Sequence, residues 1–134
     1  MGRRVRVALL GVLAGAIVGT GVWLSRPAAP VRSRDADFEL VVTMSGFSPR
    51  QLQLRAGRPV LLRLVNPDSP YHADGGGVHG FTVPQLGIDV RVPPRSTMDV
   101  ELPAAAPGDY PFYCDTCCGG KENPFMWGVL KVRA

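Results

Sequence analysis

From Phe38 to Val132, apolar side chains recur at every second position in short runs separated by turn residues. Phe38, Leu40, Val42 and Met44 alternate with polar or smaller residues, the pattern of a half-buried strand. Ser45-Gly46-Phe47-Ser48-Pro49 reads as a turn, and Gln51 to Leu54 as a short strand closed by Ala56-Gly57. Pro59 to Asn66 is an apolar, strand-like run ended by Pro67-Asp68, and residues 68–78 form a long loop with three consecutive glycines. Further strands are predicted at Phe81–Leu86, Ile88–Val92, Thr97–Leu102, Tyr110–Tyr113 and Gly128–Val132. About seven short strands spaced by turns in about 100 residues predict an all-β sandwich or Greek-key barrel. No internal repeat is visible, and no helix is predicted within this body.

The head of the chain follows another pattern. Arg3, Arg4 and Arg6 precede an uncharged run of 18 residues, Val7 to Leu24, about 27 Å as a helix and close to the hydrocarbon thickness of a bilayer. The run is long for a signal-peptide core, no small-x-small cleavage site follows it, and Trp23 sits where an interfacial anchor would sit. Residues 1–25 therefore read as an uncleaved signal anchor, a single transmembrane helix. Residues 26–35 read as a Pro/Ala/Arg linker and 36–134 as the folded domain. The Arg cluster keeps the N-terminus cytoplasmic, so the domain is expected on the periplasmic or extracellular side of a bacterial cytoplasmic membrane.

Charge removes one class of function. The formal net charge of +4 suggests a nucleic-acid binder until its distribution is seen. Residues 1–34 hold six Arg and no acid, whereas residues 35–134 hold nine Lys and Arg against eleven Asp and Glu, a net −2. A slightly acidic body is no footprint for phosphate, so no nucleic-acid partner is expected. The 16 Gly and 13 Pro suit turn-rich β structure.

All three cysteines, Cys114, Cys117 and Cys118, fall within five positions. An odd, clustered set is no disulfide framework and points to metal or redox chemistry. A loop between two strands can fold back so that Cys114, Cys118 and Met126 converge, and soft thiolate and thioether donors select copper over hard cations. His79, at a strand start, is the candidate fourth donor. Each donor also has an ordinary reading. A lone His in a β protein is more often structural, Met126 could be core filler, and buried Cys can simply pack. Three cysteines in five residues are hard to explain by packing. Cys114-Asp115-Thr116-Cys117 has the spacing of a redox pair, but Gly119-Gly120 and Pro124 oppose the helix that such a pair prefers.

The runs VHGFTVPQLGIDVRVPP (78–94) and FYCDTCCGGKENPFMWGVLKV (112–132) resemble the copper-A domain of cytochrome oxidase subunit II and nitrous oxide reductase. That family is a cupredoxin, so the resemblance implies a Greek-key β-sandwich that carries electrons on a binuclear copper centre. Its pattern is a His at a strand start, then Cys-x3-Cys-x3-His-x2-Met. Carried over, one copper would take His79, Cys114, Cys118 and Met126. The other would take both Cys, the Thr116 carbonyl and a second His. No His stands at that second position: the count from Cys118 falls on Glu122, the count back from Met126 on Asn123, and the loop is one residue longer than the pattern. Glu122, Asn123 or His72 is a candidate for the gap, or the site holds a single copper. Cys117 has no place in the pattern, as a spare ligand or a free thiol, and is expected to project to the other side of the loop.

These readings combine into a membrane-anchored, extracytoplasmic copper protein that carries single electrons and transforms no substrate. Its expected partner is a c-type cytochrome or a membrane oxidase. A second reading is a protein that stores Cu(I) or delivers it to a copper-trafficking partner, because loss of a His favours the reduced ion. A third is a thiol–disulfide oxidoreductase.

Overall fold

The computed structural model describes residues 35–134. The proposed signal anchor and all of the linker except Asp35 lie outside the described residues. Among the described residues nine strands form two sheets. The first sheet holds β1 (Phe38–Thr43), β2 (Gly46–Ser48), β4 (Val60–Asn66) and β7 (Ser96–Leu102), in the order β2-β1-β4-β7. The second holds β3 (Gln51–Arg55), β5 (His79–Val83), β6 (Ile88–Val92), β8 (Gly108–Tyr113) and β9 (Trp127–Arg133), in the order β3-β9-β8-β5-β6. β1 pairs parallel with β4, and β3 parallel with β9; every other pairing is antiparallel. The expected all-β sandwich is what forms.

Alternation explains the core. Along β4 every second residue is buried, and Leu62 and Leu64 are wholly so. Leu40 and Val42 of β1 join them, facing Phe81, Phe112, Leu130 and Val132 of the second sheet in one apolar cluster. Phe47, Phe81 and Phe112 meet at ring-centroid distances of 4.9–6.4 Å, with the Phe47 pairs edge to face.

Two segments differ from the sequence pattern. The turn predicted at residues 45–49 contains β2, which pairs back onto β1 with Val42 opposite Phe47. The strand predicted at Phe81–Leu86 begins earlier, at His79, and stops at Val83. Pro84 has no N–H for the ladder and opens a 3₁₀ turn, Pro84–Leu86. The early start matters because it places His79 in a ladder, opposite Val92 of β6, rather than in the preceding loop.

Candidate metal centre

The long connection from β8 to β9 carries the cysteines, and the β4–β5 connection, residues 67–78, lies against it. Gly75 shows how closely. A Cβ there would stand 2.9 Å from Cys117 Cβ and 3.1 Å from the Thr116 carbonyl oxygen, and its φ of +68° is one that L side chains rarely adopt. Wholly buried Asn66 ties the β4–β5 connection to the core. Its Nδ2 donates to the carbonyls of Gly77 (2.7 Å), Val92 (3.0 Å) and Pro93 (2.9 Å), and its Oδ1 accepts from Asp68 N (3.0 Å).

Cys118 has φ +58°, the left-handed region. Such a conformation costs a non-glycine residue about 1–3 kcal/mol and persists where its surroundings over-determine it. Here they do. Asp74 Oδ2 accepts from the Cys118 N–H, and Asn123 Nδ2 donates to its carbonyl at 2.7 Å. Asn123 Oδ1 also accepts from Phe125 N, so this amide holds the loop with both ends.

The donor atoms of His79, Cys117 and Cys118 lie within 4.8 Å of one another. His79 Nδ1 is 3.0 Å from Cys117 Sγ, Cys117 Sγ is 3.0 Å from Cys118 Sγ, and Cys114 Sγ is 3.6 Å from Cys117 Sγ. His79 Nε2 is 2.8 Å from Asp68 Oδ2. A carboxylate there fixes the tautomer that carries its proton on Nε2, leaving the Nδ1 lone pair aimed at the thiols. Ligand atoms on one tetrahedral ion with bonds of about 2.3 Å stand about 3.8 Å apart, so the contacts at 3.0 Å would have to open by under an ångström for this group to share an ion. A set of thiols with one imidazole suits a soft, thiophilic metal.

The thiols differ in acidity. Burial pushes Cys114 up, but hydrogen bonds from the Gly80 and Thr116 backbone are among the contacts that stabilise its thiolate and hold its pKa at about 7. Cys117 moves up, first by burial and then through its contact with Cys118 and the charge of Cys114. Burial likewise raises Cys118. For His79 burial opposes the imidazolium, yet hydrogen bonds with Cys114 and Asp68 outweigh it and the pKa rises. Thiols bind a metal as thiolates, so a site with raised thiol pKa values would release protons on taking up a metal.

Three of the sequence candidates, His79, Cys117 and Cys118, form this group, and Cys114 lies beside it. Cys117 does not project away from the ligand side as expected. Residues 114–118 are not strand, and the left-handed turn at Cys118 leaves both neighbouring sulfurs on one side. Cys114 is wholly buried and accepts from Gly80 N at 3.1 Å. Met126 is also wholly buried, and its carbonyl accepts from Cys114 N. Thr116 directs its carbonyl toward Gly75. Glu122 is exposed on the 3₁₀ turn Gly120–Glu122, and neither it nor half-buried His72 belongs to the converging group. Trp127 packs on Tyr113 at 4.8 Å between centroids, beside the loop.

Sequence reasoning missed Asp68 as the partner of His79, Asp74 as the anchor of Cys118, and Met44, whose Sδ lies 3.3 Å from Cys118 Sγ. Asp68 carried a faint signal, standing after Pro67 at the end of a strand. Met44 carried none beyond ending the alternation of β1.

A family model described as a cupredoxin-like domain matches residues 14–121. Over 116 residues the chain is 26% identical to cytochrome c oxidase subunit 2 of Thermus thermophilus, covering 84% of this chain and 78% of that protein. Among solved structures, the periplasmic domain of cytochrome oxidase subunit II of Bradyrhizobium japonicum is similar, with TM-score 0.56 and 16% identity over 74% of this chain and 86% of that one. An auracyanin from Roseiflexus castenholzii matches with TM-score 0.57 and 13% identity, over 76% and 100%. At these identities the structural matches speak for the fold.

Proposed function

This chain belongs to the cupredoxin-like domain family, and on that premise we propose that it binds copper and carries single electrons outside the cytoplasm, anchored by residues 1–25 through the linker 26–35. The observation that carries the reading is the convergence of His79, Cys117 and Cys118 within 4.8 Å at one end of a cupredoxin sandwich. His79 and Cys118 belong both to this group and to the copper-A-like set; the remaining places go to Cys114 or Cys117 and to a thioether. Bound copper would supply the one-electron couple. The residues around it provide what such a couple needs: thiolates as covalent paths, an imidazole oriented by Asp68, and a buried setting that limits rearrangement between the two oxidation states. With one imidazole at the site, the reading is one copper per chain, and the expected partner is a c-type cytochrome or a membrane oxidase.

A second reading, storage or delivery of Cu(I), is favoured by the third thiol inside the cluster. Colour and reversibility separate the two. The full chain loaded with copper should be intensely coloured when oxidised, show a four-line hyperfine pattern in electron paramagnetic resonance, and cycle without losing metal. A colourless complex that yields its copper to chelators would instead establish delivery. A seven-line pattern at two coppers per chain would replace the single ion with a pair. A chain that takes up no copper overturns both readings.

A further inference from the structure

The sulfur contacts of Cys118 run in two directions. One reaches Cys117 at 3.0 Å; the other reaches Met44 Sδ at 3.3 Å, 74 residues away in sequence and on the turn that joins β1 to β2. Two further contacts fix that turn at this place. Met44 N donates to Asp68 Oδ2 at 2.7 Å, the same carboxylate oxygen that holds His79 Nε2 at 2.8 Å. Gly46, two residues on, packs so tightly on the Phe125 carbonyl that no Cβ would fit between them. The imidazole and the Met44 backbone are therefore positioned by one group, and the thioether is delivered to the thiols rather than arriving there by loose side-chain packing.

We propose that Met44 is a metal ligand, and that its thioether completes with His79, Cys117 and Cys118 a four-donor site drawn from both sheets of the sandwich. The inference rests on the copper-binding reading above and assigns the site's thioether donor within it. The contacts form an unbroken chain, His79 Nδ1 to Cys117 Sγ to Cys118 Sγ to Met44 Sδ, at 3.0, 3.0 and 3.3 Å. A single ion can replace all of these contacts with bonds. One nitrogen, two thiolates and a thioether match the preference of Cu(I) for soft donors. Met126 is wholly buried in the same cluster as Cys114 and Cys117, so the test has to separate its thioether from that of Met44.

The test is Cu(I) affinity of the full chain, measured by competition with a chromophoric chelator. Met44→Leu keeps the bulk and removes the sulfur. It should weaken binding by at least about tenfold, the scale on which metal sites respond to losing a supporting group. Met126→Leu and Met98→Leu should change it by less than about threefold. Selenium K-edge absorption of selenomethionine-labelled protein gives a second measurement that does not depend on how Met44→Leu folds. A copper neighbour of selenium should persist in Met126→Leu. Unchanged affinity in Met44→Leu, or a selenium–copper signal that vanishes in Met126→Leu, overturns the assignment while leaving the copper reading intact. Absence of copper binding by the unmutated chain overturns both.

Discussion

The β4–β7 ladder and the loop end that carries the thiols are held together in opposite ways. In the ladder seven residues pair in register, from Val60 with Leu102 to Asn66 with Ser96, and the backbone satisfies its own hydrogen bonds. Apart from Asn66 at its end, side chains there pack, or on the outer face pair as Arg63 does with Asp99 at 2.8 and 2.9 Å. At the loop end side chains hold the backbone. Asn66, Asp74 and Asn123 bind carbonyls and N–H groups of the connecting loops. Stability therefore belongs mainly to the ladder and the core beneath it, and donor geometry to a few polar residues.

That contrast can be broken most forcefully in the core. Leu62→Ala leaves a cavity under the ladder and should cost about 2–5 kcal/mol in chemical denaturation, with copper affinity per folded molecule unchanged. A parallel loss of affinity would mean that the two regions are not separable.

Asn66→Ala tests the junction between them. It leaves three carbonyls without their donor and should cost about 2–4 kcal/mol, and it should also loosen residues 67–78, which hydrogen exchange would detect. Protection unchanged in that segment would show that Asn66 serves the core alone.

Asp68→Ala acts on the site. Without the carboxylate, the His79 tautomer and the Met44 turn lose their common anchor, and Cu(I) affinity should fall about 10–100-fold. The unfolding midpoint of the metal-free chain should move by no more than about 1 kcal/mol. A large stability loss with intact affinity would reassign Asp68 to the fold.

Asp99→Asn should have the smallest effect, because the pair it breaks is solvated. Its pH dependence has a definite sign. Hydrogen bonding by Arg63 holds the Asp99 carboxyl below its ordinary value, against a small opposing effect of burial. The stabilisation is therefore present above the ordinary carboxylate range and is lost as pH falls through the lowered value. Denaturation of both forms at neutral and at strongly acidic pH should show a small difference that disappears in acid.

Much of this molecule was legible in its sequence. Period-two alternation located β1, β3, β4, β6, β7, β8 and β9 to within two residues, because a strand with one buried face must alternate. β2 was hidden because three residues, GFS, are too few to show a period. The candidate donors were legible too: three cysteines in five residues, with a His opening a strand, point to soft-donor chemistry.

Which donors meet was decided only in three dimensions. Alternation predicts opposite faces for neighbouring residues, and it holds only where the backbone is extended. Residues 114–118 are not strand, and the φ of +58° at Cys118 leaves the Cys117 and Cys118 sulfurs 3.0 Å apart. Met44 and Asp68 stand far from Cys118 and His79 along the chain, and no spacing rule connects them. They reach the site because the parallel pairing of β1 with β4 ends both strands at the same edge of the sandwich, under the thiol loop. The sequence by itself determined strands, core and the kind of metal. The packing of one sheet's strand ends beneath the other sheet's loop decided the site, because contacts between distant residues depend on topology and leave no periodic trace in the chain.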